Sequence, residues 1–303
     1  MPPIDELDHS QWSGKTDGLP WMQRALVALF KVMPLSLGYA VMAWVVPFYM
    51  IFNHQGYIST YRFFRLRFHF SPLKAFAYVY VNHFRFGQVI LDRFAAWAGK
   101  KFLFDFENRN LFDDMESAPA GFVLLSSHVG NYEMAGCSFA PQHKRFNALV
   151  FAGETETVMR NRQRILSSHN IEMIPVASDL SHIFKMNAAL DNGEILSLPA
   201  DRLFGSAKTV TCRFFDAEAP FPVGAFMLAA SKSAPALAFF VMKKSVRRYR
   251  VILRRIECDA SLGLRQQVQQ SAQSFASQLE EVVRRYPAQW FNYYDFFSKT
   301  PKL

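Results

Sequence analysis

A chain of 303 residues is long enough for one large α/β domain with an appended segment. Half of the residues are hydrophobic, Phe occurs 31 times and the formal charge is +9, which is typical of a membrane-associated protein with anionic partners. No zinc-finger, helix-turn-helix or RNA-binding pattern supports nucleic acid as that partner. The 3 cysteines are scattered and lack a Cys-x-x-Cys pair, which excludes a disulfide framework and a zinc site.

The N-terminal part of the chain predicts a membrane anchor. Residues 1–30 are predicted to be a polar tail, residues 31–56 an anchor or span, and residues 57–303 one large domain. No charged residue occurs from Val32 to Asn53, about the length that crosses a bilayer. Three alternatives remain open: a true span, a shallow or re-entrant anchor, and a buried helix of a soluble protein. No secretory signal fits, because the hydrophobic region begins too late.

Residues 57–70 interleave arginines with aromatic residues. This pattern fits a surface at the level of lipid headgroups, and it equally fits an amphipathic helix whose rings pack on the core. The arginines lie on the C-terminal side of the apolar segment, which favours a cytoplasmic location for the large domain. Ser71 and Pro72 then predict the start of a helix that ends at Gly99.

The stretch from Gly121 to Glu133 organises the rest of the chain. Its apolar run predicts a buried strand that stops just before His128, and Gly130 and Asn131 supply turn chemistry before a helix from Tyr132. Ligands of α/β sheets bind at the carboxyl ends of strands, where this histidine falls. A neutral imidazole can take a proton from a hydroxyl that attacks a carbonyl, and Glu133 can fix its tautomer. A satisfied turn histidine is the alternative.

At these residues the chain resembles a known family. The sequence His128-Val-Gly-Asn-Tyr-Glu133 is similar to the His-x4-Asp/Glu motif of the lysophospholipid acyltransferase superfamily, in the form typical of the lipid A late acyltransferases. The resemblance extends from about Trp21 to the C-terminus. It implies a mixed, largely parallel α/β sheet flanked by helices, with an N-terminal membrane-anchoring helix. It also implies His128 as general base, Glu133 as its support, a fatty acyl thioester as donor, and neither metal nor cofactor.

The resemblance implies further site residues on later elements. A strand over residues 145–151 is followed by Gly153 and by a helix in which Arg160 and Asn161 are candidates for holding the oxyanion or an acceptor phosphate, against a solvated helix face. A strand over residues 194–199 delivers Asp201 and Arg202 to the same sheet edge as His128. Arg202 can bind phosphate or stabilise an oxyanion, and Asp201 can orient it or the acceptor. The alternative is a strand-end ion pair. Leu203 stands where many relatives carry a second acidic residue.

The C-terminal third predicts the walls of a pocket. Residues 208–214 alternate like an exposed strand, and residues 215–224 resemble the family block that lines the acyl and acceptor pocket. The candidate substrate-binding residues are Val129, Gly130, Asn131, Gly153, Pro222 and Gly224. Two further strands are predicted over residues 235–242 and 250–256. The basic turn that joins them contains Lys243, Lys244, Arg247 and Arg248. This turn could contact a carrier protein or anionic lipid, or it could be only a solvated loop. The stretch from Pro287 to Phe297 resembles the closing aromatic segment of the family.

We therefore predict a membrane-associated O-acyltransferase of lipid biosynthesis. It would move a fatty acyl chain from acyl carrier protein or acyl-CoA to a hydroxyl of a lipid A-like or other bacterial lipid. We expect it at an anionic surface of the inner membrane, with the catalytic domain facing the cytoplasm. Two alternatives stay open, namely a non-catalytic lipid-binding protein and a thioester or ester hydrolase on the same fold.

Overall fold

A computed structural model describes residues 20–52, 54–139, 141–150, 171–176, 179–202 and 208–297. Its helices are α1 (Pro20–Val32), α2 (Leu35–Phe52), α3 (His54–Arg67), α4 (Pro72–Trp97), α5 (Arg109–Ser117), α6 (Ser181–Asp191), α7 (Gly224–Ser231) and α8 (Leu264–Arg285), with short 3-10 helices at Tyr132–Cys137 and Pro287–Gln289. Its strands are β1 (Leu103–Glu107), β2 (Phe122–Ser126), β3 (Phe146–Val150), β4 (Ile171–Pro175), β5 (Ile195–Pro199), β6 (Thr209–Phe214), β7 (Ala217–Pro222), β8 (Ala236–Ser245) and β9 (Arg248–Arg255).

A mixed, largely parallel sheet of seven strands, flanked by helices, forms the centre of the fold, as predicted. The strand order is β1-β9-β8-β2-β5-β3-β4, and β8, β2, β5, β3 and β4 run parallel to one another. Strand β9 is antiparallel to β8, and β1 pairs in parallel with β9. Because β2 lies between two parallel neighbours, all five of its residues are buried, which explains its unbroken apolar run.

A separate hairpin of β6 and β7 lies beside the main sheet. The predicted alternation of β6 is confirmed, since every second residue is buried. Strand β7 was not predicted, and neither were β1 and α5. The hairpin turns at Phe215 and Asp216, both with positive φ of 50° and 57°. This backbone conformation suits a tight turn, but the sequence lacks the glycine or asparagine that usually announces one.

The apolar segment at residues 35–52 forms helix α2, which packs along α4. Tyr39, Val46 and Met50 are buried against α4, whereas the other face carries exposed rings such as Trp44 and Phe52, which are 79% and 85% exposed. Within the described residues α2 is the one helix long and apolar enough to cross a membrane, and 28% of it is buried. Most of α2 is therefore exposed in the structure, whereas a core helix of a soluble protein is mostly buried. Helix α1 begins inside the segment predicted as a polar tail.

Many of the abundant phenylalanines lie in the buried clusters on and around the sheet. On α3, Phe64 is fully buried, and the ring of Phe63 lies 4.8 Å from that of Trp290 in the C-terminal segment. The packing interpretation of residues 57–70 is therefore confirmed for these rings. The arginines of α3 remain partly exposed beside them, at Arg62, Arg65 and Arg67.

Candidate active site

Two neighbouring parallel strands bring His128 and Asp201 together. In the register of β2 and β5, Ser126 lies opposite Pro199, and the amide of Ala200 donates to the carbonyl of Ser126 over 2.9 Å. His128 and Asp201 each lie two residues beyond that pair, at the carboxyl ends of their strands. This is the edge at which ligands of α/β sheets bind. The predicted convergence of these two segments is therefore present.

Asp201 contacts His128 through both carboxylate oxygens. Its Oδ1 lies 2.8 Å from Nδ1 of the imidazole, and its Oδ2 accepts from the backbone amide of His128 over 2.8 Å. Asp201 is buried, at 3% exposure. The two contacts fix both the ring and the backbone that carries it. The carboxylate that holds Nδ1 is thus that of Asp201, whereas the sequence suggested Glu133 for this position.

The charge state of the pair follows from its surroundings. Burial alone raises the pKa of Asp201, but His128, Arg202 and the backbone amide together hold that pKa below its ordinary value. An ionised carboxylate only accepts hydrogen bonds, so Nδ1 carries the proton and Nε2 keeps its lone pair. Burial and the Arg202 charge lower the pKa of His128, against the raising effects of Asp201 and Glu133. The imidazole is therefore neutral near pH 7, and 18% of its side chain is exposed.

The turn after His128 is held between β8 and the C-terminal segment. The amide of Gly130 donates to the Gln289 carbonyl and that of Asn131 to the Val241 carbonyl, each over 2.7 Å. Gly130 has a φ of +64°, and a Cβ there would lie 2.1 Å from the Val241 oxygen. Only glycine fits this conformation and this approach. Val129, Gly130 and Asn131 are buried, so these predicted substrate-binding residues also brace the turn; their substrate contacts stay a prediction.

The C-terminal segment lies directly against the histidine. The amide of Phe291 donates to the His128 carbonyl over 3.0 Å, and the carbonyl of Phe291 accepts from Arg202 over 2.9 Å. The side chain of Asn82, from α4, donates to the Trp290 carbonyl over 2.9 Å. One short stretch therefore joins α4, His128 and Arg202.

Glu133 lies in the 3-10 helix that follows the turn. Its carboxylate is 3.0 Å from the guanidinium of Arg93 on α4, and both side chains are largely buried. The helix predicted from Tyr132 is present as a short 3-10 helix. The side-chain amide of Asn131 donates to the Tyr249 hydroxyl over 3.1 Å. The charge of Glu133 reaches the imidazole, since it raises the pKa of His128. Its direct catalytic part stays a prediction.

The other predicted site residues are placed as follows. Arg202 acts on the His128 pKa and anchors to Phe291, so it lies at the site. Pro222 ends β7 and Gly224 begins α7, where a side chain would meet no atom within 4 Å. Three candidates and the departure from the family pattern lie outside the described residues, namely Gly153, Arg160, Asn161 and Leu203.

A buried polar network behind the turn was not foreseen. The carboxylate of Asp92 on α4 accepts from the hydroxyls of Tyr39 and Tyr249 and pairs with the ammonium of Lys243. The placement of Lys243 in a basic surface turn is wrong: its side chain is 1% exposed, and that of Asp92 is fully buried. Tyr39 is buried as well. A signal was available, because Asp92 interrupts an apolar face of α4 beside Leu91.

This network reaches the turn that follows His128. Tyr249 accepts from Asn131, and the backbone of Lys243 exchanges hydrogen bonds of 2.8 and 3.0 Å with the side chain of Gln289. Buried polar groups that are fully paired in this way fix a single arrangement of the elements that carry them. Helices α2 and α4 and strands β8 and β9 are thereby tied to the residues beside His128.

The chain was also compared with known proteins. No curated protein sequence matches it. Residues 82–295 match the sequence profile of the bacterial lipid A biosynthesis acyltransferases, a range that contains His128, Glu133, Asp201, Arg202 and nearly all of the C-terminal aromatic segment. Because this match covers well over half of the chain, the protein belongs to the bacterial lipid A biosynthesis acyltransferase family.

Proposed function

We propose that the protein transfers a fatty acyl chain from a thioester donor, acyl carrier protein or acyl-CoA, to a hydroxyl of a membrane lipid. Membership of the family supports acyl transfer to lipids. The observation that carries the proposal is the contact between Nδ1 of His128 and the buried carboxylate of Asp201. It leaves Nε2 as a base at the carboxyl edge of the sheet.

The reaction proceeds by direct attack of the acceptor. Nε2 of His128 takes the proton of the acceptor hydroxyl while the hydroxyl oxygen attacks the thioester carbonyl. The tetrahedral intermediate then collapses, the carbon–sulfur bond breaks, and the imidazolium returns its proton to the leaving thiolate. Asp201 keeps Nδ1 protonated and stabilises the imidazolium throughout. No enzyme nucleophile is needed, because the acceptor supplies it.

Positive charge is required where the oxyanion develops. We assign this role to Arg202. Its charge lowers the pKa of the His128 imidazole, and its guanidinium donates to the Phe291 carbonyl. A fixed cation in a site of low polarity stabilises an oxyanion strongly. We assign Arg160 and Asn161 to the same task or to an acceptor phosphate. Glu133, paired with Arg93, holds the far side of the turn.

The surface supports work at a membrane. Helix α2 exposes apolar side chains along one face, and the chain has a charge of +9. We infer docking on the anionic cytoplasmic face of the inner membrane, where the lipid acceptor is available. The same positive charge attracts an acidic acyl carrier protein, and this attraction weakens as salt rises.

The test is a transfer assay on the purified full chain. Acyl-CoA or acylated acyl carrier protein, isotopically labelled in the acyl chain, is incubated with total membrane lipid, and the products are resolved by mass spectrometry. We expect labelled lipid from the wild type, none from His128→Ala, and normal product from His143→Ala, a matched change at an exposed histidine. Release of free fatty acid without transfer would favour the hydrolase. Lipid binding that survives His128→Ala, without any turnover, would favour a non-catalytic protein.

A further inference from the structure

The carboxylate of Asp92 accepts from three buried donors. Its Oδ1 accepts from the Tyr39 hydroxyl, and its Oδ2 accepts from the Tyr249 hydroxyl and the Lys243 ammonium. All four side chains are buried. The transfer mechanism described above uses none of them, so the chemistry of the reaction does not explain why the core contains a charged pair.

Stability alone does not account for a buried ion pair of this kind. The removal of two charges from water costs free energy that their attraction only partly returns, and apolar residues of similar size often serve a core equally well. Paired polar groups do something else, because they fix one arrangement of the elements that carry them. Here α2, α4, β8 and β9 supply one side chain each. The network therefore points to a requirement for position.

Tyr249 is the member of this network whose side chain contacts the turn that follows His128. Its phenolic oxygen accepts from the side-chain amide of Asn131 over 3.1 Å. A carboxylate paired with an ammonium group only accepts hydrogen bonds, so the single hydroxyl proton of Tyr249 goes to Asp92 and its oxygen is left to accept from Asn131. The Tyr39 hydroxyl contacts the same carboxylate, but among the described residues it has no hydrogen bond to the turn.

The turn is held at three points. The backbone amide of Asn131 donates to the Val241 carbonyl on β8, and that of Gly130 donates to the Gln289 carbonyl in the C-terminal segment, each over 2.7 Å. The side chain of Asn131 adds the third point, on β9. Two points leave a short segment free to rotate about the line that joins them, whereas a third point fixes its orientation. The hydroxyl on β9 is therefore the contact that removes this freedom.

We propose that Tyr249 is a positioning residue for acyl transfer. Through Asn131 it holds the turn, and with it the backbone of His128, in the orientation that directs Nε2 at the acceptor hydroxyl. A displacement of about 1 Å can lower a rate by roughly 10²-fold, so a buried hydroxyl that does not contact the substrate can still control kcat. The inference rests on the proposed function of His128 as the base.

Two matched changes in the full chain separate position from stability. Tyr249→Phe and Tyr39→Phe each remove one buried hydroxyl that donates to Asp92, but only the first removes the acceptor of Asn131. Both should lower the unfolding midpoint. In the transfer assay we expect Tyr249→Phe to lower kcat roughly 10- to 100-fold with little change in KM, and Tyr39→Phe to keep both constants. Equal losses of kcat in the two variants, or a normal kcat in Tyr249→Phe, overturn the proposal.

Asn131→Ala breaks the same hydrogen bond from the other side and leaves the bonds to Asp92 in place. Its kcat should fall by about the same factor as that of Tyr249→Phe, and the double variant should lose little more than either single variant, because both changes remove one interaction. Losses that multiply would show that Tyr249 acts by another route, against the proposal. A normal kcat for Asn131→Ala would also refute it, even where Tyr249→Phe is too unstable to assay.

Hydrogen exchange tests the turn without any turnover. The amides of Gly130 and Asn131 are protected by their bonds to carbonyls, and loosening of the turn exposes them. Exchange, measured by mass spectrometry of peptides that contain the turn, should be roughly three- to tenfold faster in Tyr249→Phe and unchanged in Tyr39→Phe. Unchanged exchange in Tyr249→Phe contradicts the proposal. If the wild type transfers no acyl chain, the proposed function fails, whereas faster exchange confined to Tyr249→Phe still shows that Tyr249 holds the turn.

Discussion

Asp201 holds His128 at two points, with one carboxylate oxygen 2.8 Å from Nδ1 and the other 2.8 Å from the backbone amide. A single buried side chain from β5 therefore fixes the tautomer, the ring plane and the end of strand β2. We therefore expect the proposed base function of His128 to depend on Asp201.

Replacement of Asp201 by Asn should reduce kcat by roughly 10²- to 10⁴-fold. The amide can present a donor to Nδ1, which would move the proton to Nε2 and remove the base. The rate is measured in the transfer assay, with folding checked by thermal unfolding. The matched change Asp113→Asn, in an exposed ion pair with Arg109, should retain the rate. A nearly normal rate for Asp201→Asn would contradict the assigned tautomer.

The pH dependence of kcat/KM should report the lowered pKa of His128. The base is active when neutral, so activity should fall as pH drops through a value below 6.5, the ordinary imidazole pKa. Arg202→Gln removes a charge that lowers this pKa, so the acidic limb should move to higher pH. A limb that stays in place would show that Arg202 does not act on the imidazole.

Glu133→Gln should move the same limb in the opposite direction. The charge of Glu133 raises the pKa of His128, so its loss should lower that pKa and extend activity to more acidic pH. The measurement is the same profile of kcat/KM, recorded on the residual activity. Arg93→Gln provides the comparison, because it breaks the ion pair with Glu133 and keeps the Glu133 charge. A limb shifted upward in Glu133→Gln would contradict the assignment.

Lys243→Met should destabilise the fold by about 3–5 kcal/mol, since it leaves the Asp92 carboxylate buried without its cation. The double change Asp92→Asn with Lys243→Met should recover much of that loss. Unfolding in denaturant measures both variants. Lys244→Met, at the adjacent exposed position, should change stability little. Equal stability of the Lys243 and Lys244 variants would place Lys243 outside the core.

Gly130→Ala should prevent formation of the turn. The left-handed conformation costs an alanine about 1–2 kcal/mol, and its Cβ would also lie 2.1 Å from the Val241 oxygen. We expect loss of activity together with a lower unfolding midpoint. Gly263→Ala, where the nearest atom is 3.7 Å from the added Cβ, should retain both. A stable, active Gly130→Ala protein would disprove the close approach of these backbones.

The exposed face of α2 should determine membrane binding. Phe48→Ser and Phe52→Ser remove rings that are 62% and 85% exposed, and each is expected to weaken vesicle binding by roughly tenfold, with no effect on stability. Flotation with anionic vesicles gives the measurement. Leu103→Ser, at an apolar residue exposed on β1, is the matched control. Vesicle binding that survives both Phe changes would assign the membrane contact to another surface.

Several features followed from the sequence because they are local. The apolar run of β2, the turn residues Gly130 and Asn131, and the place of His128 at the end of a strand all depend on neighbours in the chain. The spacing of His128 and Glu133 also carried the resemblance to the family. Ser71 and Pro72 gave the start of α4 for the same reason, whereas β7 has no usual turn signal and was missed.

Only the tertiary structure decided which charged groups meet. Asp201 reaches His128 across 73 positions and Asp92 reaches Lys243 across 151, because the sheet register and the packing of α4 on the sheet bring them together. A sequence shows that a lysine carries a charge, but it does not show whether a buried carboxylate pairs with that charge in the folded protein. The sequence therefore indicated the class of reaction, and the fold determined which carboxylate contacts Nδ1 of His128.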